Sequence, residues 1–516
     1  MSTEREYIVT LHNAGDATDF IEQMTGSSSV GEIPARSVTV VNERPFSSRN
    51  THYALTDAEA EQLRNDPRVL AVEMLPEERG FEKILFGKSG SQNFHRDQVT
   101  INNTMRNWGL YRHTKLSGGY SGTQVTADYT YSQDGSGVDL LVVDSGIIEG
   151  HPEWSSTYDG TGPTRLIDFN WASLGVPGTP SSGSIGGYLG DSDGHGSNCA
   201  SLAAGSQNGF AKGANIYSLR IFSGSTNGGP FLGEIDNSIV YDIVKAFHLA
   251  KIAAGNTRPT VCTNSWGYRS TYPFSTMTTR WRGTDYTHGG RNTTYGQVNT
   301  YHGVRIPSLD ADVSDTIDAG VIMLGAAGNY YHKIDVPGGL DWDNYYSTST
   351  YYHRGSSPTG PIAGGSSMIC VGALDNTDVE QKIGFSETGP GVDIYSAGVM
   401  TMAAYSNNAY YTPAVQDSRG SGYYLNKLSG TSMATPNVAG VACLMAGMRP
   451  NYSHQQIKDW LLELSDKETM TEGTAGYTNQ RHLQGGLQRV LKWPYIRENP
   501  FSASNLVPAN GAKIGL

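Results

Sequence analysis

Basic charge is what this sequence is short of. Its 516 residues include 37 Lys and Arg against 49 Asp and Glu, a formal net charge of −12. A nucleic-acid partner is excluded, because phosphate binding needs a basic surface. Long hydrophobic runs are missing as well: no stretch approaches ~18 uninterrupted apolar residues, so nothing is expected to span a membrane. Cysteine is scarce. Cys199, Cys262, Cys370 and Cys443 each lie in a small or apolar run and form no CxxC pair, which reads as buried free thiols rather than disulfides or a metal site. The first residues, MSTEREYIVTLHN, show no basic region followed by an apolar one. No secretory signal is visible, and an intracellular or particle-associated setting is expected over conventional secretion.

Glycine is plentiful, at 63 residues, while 37% of the chain is hydrophobic and 17% charged. That composition describes a compact, turn-rich globular protein, long enough for one large domain and a smaller one. Its acidic loops could hold hard cations such as calcium.

Four stretches differ in texture. In residues 1–76, REYIVTL, SVTVVN, THYALT and AVEML read as strands. DATDFIEQM reads as a short helix, and DAEAEQLRNDPRVL as a capped helix stopped by Pro67. Together they predict a two-layer α+β module with little apolar surface to bury, steadier when docked on something larger. Residues 77–107 are polar and unpatterned and read as a linker. Residues 108–468 carry near-continuous apolar runs, including GVDLLVVD, ANIYSLRIF, TVCTNSW, GVIMLGAAGN and SMICVGALD, with helix-like segments between several of them. The alternation predicts a parallel sheet covered on both faces by helices. Within it, residues 268–306 read as a Tyr/Thr/Arg-rich surface insertion, either a solvated loop or a surface for an assembly partner. Residues 469–516 read as a tail that wraps the domain or docks onto another protein.

In open sheets of this kind ligands sit beyond the carboxyl ends of the strands, where Asp144, Trp266 and Asn329 fall. VVDSGI ends a buried strand at Asp144; SDGHGSNCASLAAG places His195 at the head of a small-residue helix; SGTSMATP places Ser432 at the head of another. Asp, His, Ser is one of three chain orders found in nucleophilic triads. A serine hydroxyl is a poor nucleophile near neutral pH, so an imidazole must take its proton, and a carboxylate orients that ring. Glycines 194, 196 and 430 are expected to keep side chains out of the substrate's way. A helix N-terminus at Ser432 favours a developing oxyanion, and Asn329 could add a side-chain amide. Taken singly, Ser432 reads first as a helix cap, His195 as a packed or capping histidine and Asp144 as a loop cap. Asp191 and Asp193 read as turn formers rather than metal ligands.

These segments resemble the subtilisin-like serine protease family, its proteinase K branch most closely, from about Trp108 to Met448. WGLYRHT, GIIEGHPEW, GFAKGANIYSLRIF, NSWG, GAAGN, GFSETGPGVDIYSAG and GTSMATPNVAG match in order. The resemblance implies a three-layer α/β fold with a mainly parallel sheet, and polypeptide substrates. It assigns catalytic roles to Asp144, His195, Ser432 and Asn329. Ser265, Trp266, Gly267, Gly325 and Ala326 become substrate-binding residues, with Trp266 and Gly267 lining a groove where an extended peptide adds as a strand. Catalysis needs no cofactor in this family, and structural calcium is expected without assigned ligands. YALTDAEAEQLRNDPRVLAVEML resembles the family's inhibitor propeptide, a ferredoxin-like module that occupies the cleft with its tail and is cut away, here between about Pro76 and Trp108. Ser197 and Asn198 depart from the family's usual Thr-His after the histidine. An alternative reading is a silent protease-like fold serving as a structural component of a virus particle or other large assembly.

Overall fold

The structure, a computed structural model, describes residues 4–27, 30–75, 78–79, 82–85, 106–114, 131–184, 187–222, 235–273, 278–287, 299–347, 359–377, 379–406, 414–473 and 481–493. The N-terminal module follows the predicted order of elements. Strand Arg5–Leu11 lies antiparallel between Asn50–Leu55 and Val69–Met74, with Val40–Asn42 beyond Asn50–Leu55. With helices Ala17–Thr25 and Asp57–Leu63 this is a split βαβ, ferredoxin-like arrangement. The second helix starts in a capping box, Thr56 accepting from the Glu59 N–H and Glu59 accepting from the Thr56 N–H, which satisfies two orphan donors at once. It stops at Leu63, and a turn at Asn65 and Asp66 turns the chain before Pro67.

The larger part is built on a nine-stranded sheet. Its order is Asp466–Lys467, Arg489–Val490, Ile394–Ala397, Ile369–Leu374, Ile322–Ala326, Thr260–Asn264, Asp139–Asp144, Asn215–Arg220, Leu166–Ile167. All pairs are parallel except the first. Successive side chains of the central strand point to opposite faces. Leu140 and Val142 pack in one core with helices His195–Ala204 and Thr431–Met448. Leu141 and Val143 pack in the other with Val240–Ala253 and Pro307–Asp318. Three layers result, as the apolar runs predict. Strand order reverses beside Asp139–Asp144, the topological switch point at which such sheets open a ligand crevice.

The module docks on the second pair of helices. Arg44, 1% exposed, reaches Asp242 Oδ2 with Nε at 2.8 Å and Asp312 Oδ2 with an NH2 group at 2.6 Å. Glu73 accepts the Ser308 N–H at 3.0 Å, a carboxylate on the first turn of Pro307–Asp318, where it complements the helix dipole.

Three expectations change. Residues 77–107 are not only a linker: Glu82–Leu85 is a strand, antiparallel to Trp266–Arg269. Residues 268–306 are not all surface. Strand Trp266–Pro273 pairs with Asn299–Val304, and Tyr268 and Val304 are buried because aromatic and β-branched side chains there finish the second core. The tail expected from 469 is in part sheet, since Arg489–Val490 pairs with Tyr395 and Trp493 is buried against the domain. Residues 494–516 lie outside the described residues. Among those described, no helix is long and apolar enough to cross a membrane.

Candidate active site

Asp144 closes a strand buried along its whole length. Its Oδ1 accepts the Ser145 N–H and faces His195 Nδ1, each at 2.7 Å. A carboxylate beside Nδ1 requires the proton there, so in the neutral ring the lone pair lies on Nε2. His195 opens its helix behind Gly194, whose φ of +89° is left-handed. A Cβ at Gly194 would come within 2.5 Å of the Tyr405 ring, and one at Gly196 within 2.1 Å of Gly146 O. These two glycines therefore admit close packing of neighbouring chain segments, where the sequence reading expected substrate clearance. His195 and Asp144 are each 1% exposed. Burial disfavours the imidazolium, but the adjacent Asp144 carboxylate outweighs it, so His195 titrates above its ordinary range.

Asp191, four residues before His195, holds strand end and helix together. Its Oδ1 accepts from Ser145 Oγ at 2.9 Å, Asp193 N at 3.1 Å and Gly194 N at 2.8 Å, and its Oδ2 from Ser197 N at 2.8 Å. It acts as a cap supplied from outside the helix. Ser197 Oγ accepts the Ile148 N–H at 2.9 Å, and Asn198 Nδ2 donates to Ala404 O at 3.2 Å. The departures after the histidine thus have structural partners of their own.

Ser432 is the second residue of Thr431–Met448 and is fully buried. Its hydroxyl donates to Ser265 O at 3.2 Å, and Ser265 Oγ donates back to Ser432 O at 3.1 Å. Pro436, inside the helix, has no N–H to give the Ser432 carbonyl four residues earlier. That carbonyl is free to take Ser265, and Cys199 Sγ at 3.5 Å. Cys199, one turn after His195, also lies 3.8 Å from His195 Nδ1, so ring and serine flank a single thiol. Burial pushes that thiol's pKa up. The Ser432 hydroxyl is engaged with Ser265, and His195 Nε2 has no hydrogen-bond partner among the described residues.

Asn329 lies beyond the strand Ile322–Ala326. Its Oδ1 accepts the Thr431 N–H and hydroxyl, both at 3.0 Å. Because a backbone N–H must meet oxygen, Nδ2 is the end left to donate elsewhere. Ser265, Trp266 and Gly267 leave the end of strand Thr260–Asn264. The Trp266 ring is fully buried and stacks on Tyr241 with centroids 6.0 Å apart, so it packs the core. Gly325 allows Thr359 to approach: a Cβ there would lie 2.4 Å from Thr359 Cγ2. Ala326 is buried with Tyr330 against it.

Among the described residues, Asp144, His195 and Cys199 are the only potential metal ligands of their type to converge as three, within 4.8 Å. A thiol and an imidazole do not suit calcium, which takes oxygen ligands. The expected structural calcium gains no acidic cluster of this kind among the described residues.

Asp191 forms the turn the sequence predicts, accepting the Asp193 and Gly194 N–H groups, but its link from the Asp144 loop to the His195 helix, and the placing of Cys199 between His195 and Ser432, are not read from the sequence. The spacing of these two residues from His195, four residues before and four after, was the available signal.

A family description, the subtilase family, matches residues 135–485. The chain is 25% identical over 414 residues to the extracellular serine proteinase of Thermus sp. (strain Rt41A), covering 80% of this chain and 70% of that protein. It is 23% identical over 348 residues to the M-protease of Shouchella clausii (strain KSM-K16), covering 66% of this chain and 63% of that one. The crystal structure of fervidolysin from Fervidobacterium pennivorans, a keratinolytic enzyme related to subtilisin, superposes with a TM-score of 0.52 at 17% identity. That match covers 94% of this chain and 60% of that one, and it shows a shared fold.

Proposed function

Because this chain belongs to the subtilase family, we propose that it is a serine endopeptidase that hydrolyses peptide bonds through Asp144, His195 and Ser432. Among the branches of the family, proteinase K is the one its motifs resemble most. The carrying observation is the buried 2.7 Å pairing of Asp144 Oδ1 with His195 Nδ1 at the switch point, with Cys199 Sγ lying both 3.8 Å from that ring and 3.5 Å from the carbonyl of Ser432.

In the reaction, Ser432 Oγ turns from Ser265 O to His195 Nε2, gives up its proton and attacks the scissile carbonyl. The Ser432 N–H and Asn329 Nδ2 receive the oxyanion. His195, held by Asp144, then protonates the departing amine, and water hydrolyses the acyl-enzyme by the same route in reverse. No cofactor takes part in these steps. Polypeptide is the substrate class; apolar or aromatic P1 residues are the family-based expectation.

The N-terminal module is proposed to be an inhibitor propeptide. Pairing of Glu82–Leu85 with Trp266–Arg269 supports this, because an added strand at that edge occupies the place an extended substrate would take. The pairing also argues for removal of the module before the cleft can serve. The scaffold alternative is not favoured, since a passive component does not need a buried carboxylate–imidazole pair at the crevice.

The deciding experiment is Ser432→Ala in the full chain. Peptide cleavage should disappear, the fold should persist, and mass spectrometry should show loss of roughly residues 1–76 to 1–107 from the wild type only. An unchanged cleavage rate would remove Ser432 from the mechanism.

A further inference from the structure

The loop that carries Asn329 is laced to residues 385–388. Glu387 N–H donates to Gly328 O at 3.0 Å, Tyr331 N–H to Phe385 O at 2.9 Å, and Thr388 N–H to His332 O at 3.0 Å. The Glu387 side chain turns the same way. Its carboxylate faces the backbone N–H groups of His332 and Tyr330, one oxygen lies 3.6 Å from His332 Nδ1, and Oε2 has no hydrogen-bond partner among the described residues. Glu387 thus holds the chain immediately before Asn329 with its backbone N–H, at Gly328, and faces the chain after it, at Tyr330 and His332, with its side chain.

Filling this space with a carboxyl is unfavourable unless the carboxyl is needed. Glu387 is 1% exposed, and a buried carboxyl loses hydration that an apolar side chain would not lose. Burial accordingly holds its proton on well above the usual carboxylate range. The loop it grips is also strained. Tyr331 has a φ of +59°, rare for a bulky residue and kept only where the surroundings over-determine it. Buried Lys382 supplies part of that surrounding, its Nζ bonded to Ile383 O and Ser386 O and 4.6 Å from the Tyr331 ring centroid.

We propose that the Glu387 side chain is a positioning group for the reaction, holding the Asn329 amide at the oxyanion through Tyr330 and His332. The inference rests on the reading of Asn329 as an oxyanion donor. The test is a double-substitution cycle in the matured full-length product, followed by steady-state kinetics on a peptide amide. Glu387→Ala should lower kcat about 10- to 100-fold with KM within about twofold, a part of the ~10²–10³ lost when such a donor is deleted. Glu387→Gln, which mimics the protonated carboxyl, should recover to within about threefold. In an Asn329→Ala background, Glu387→Ala should lower kcat no further, because the group it acts on is gone. Should Glu387→Ala fail to fold, Glu387→Met carries the same cycle. Multiplying losses in the double variant, an effect on KM alone, or no recovery with Glu387→Gln overturns the assignment. An Asn329→Ala variant with unchanged kcat overturns the oxyanion reading instead.

Discussion

Replacing Asp144 by Asn isolates the charge of the carboxylate from its shape. Oδ1 accepts both the Ser145 N–H and His195 Nδ1–H at 2.7 Å, while Oδ2 has no partner among the described residues. In Asp144→Asn the retained oxygen still meets both protons, and the new NH2 replaces the partnerless oxygen. The tautomer should survive. What disappears is attraction for the imidazolium formed as Ser432 is deprotonated. With charge centres about 4 Å apart and an effective dielectric of about 20, that attraction is about 4 kcal/mol. It corresponds to a fall of about 10³-fold in kcat, against ~10⁴ where such a substitution reverses the tautomer. The pH dependence should move as well. Burial alone lowers a histidine, and Asp144 raises His195 above its ordinary range, so in the variant the acid limb of kcat/KM shifts to lower pH. The sign for stability follows. A folded-state pKa above the unfolded value near 6.5 contributes stability that is complete below that pH and lost as pH rises through the folded value. The variant should lack that slope in denaturant melts across pH. A loss of less than tenfold, or an acid limb that stays in place, would refute the electrostatic argument.

Gly196→Ala places a Cβ 2.1 Å from Gly146 O and 3.2 Å from Asp144 Cβ; the helix must shift, so thermal melts should show destabilisation of about 1–3 kcal/mol together with loss of activity, and a variant active at the wild-type rate would contradict the packing. Arg44→Met leaves Asp242 and Asp312 buried without their cation. Removing one partner from such a cluster typically weakens it by about 3–5 kcal/mol, and hydrogen exchange in Val240–Ala253 and Pro307–Asp318 of the full chain should accelerate, more so than in Arg44→Met with Asp242→Asn and Asp312→Asn added. Equal exchange in all three chains would show that Arg44 does not hold the module. Cys199, Cys262, Cys370 and Cys443 are all buried, and burial raises each thiol's pKa. A thiol alkylator at neutral pH should therefore label none of the four until the chain is unfolded, as read by intact mass; rapid native labelling of any would contradict its placement.

Much of the site is legible along the chain because its signals are local. A buried strand needs an apolar run, and the residue after that run falls at the strand's carboxyl end, which singles out Asp144. Small residues around His195 and Ser432 mark helix starts pressed against neighbouring backbone. The module was readable for the same reason, down to the Thr56 cap. The strand Glu82–Leu85 was not, because its residues carry no apolar alternation and it is held by pairing with Trp266–Arg269. The sheet addition at Arg489–Val490 was hidden likewise: two residues in a ladder leave no periodicity to find.

The order of apolar runs and the small-residue motifs by themselves determined a parallel, helix-covered sheet and which side chains gather where its strands end, since those outcomes follow from periodicity and strand-end geometry. Only the tertiary structure decided that Asp191 joins the Asp144 loop to the His195 helix, that the Ser432 hydroxyl rests on Ser265, and that Glu387 grips the chain on both sides of Asn329. Those contacts link residues tens to hundreds of positions apart, and such a hydrogen bond leaves no trace in the local pattern of either partner.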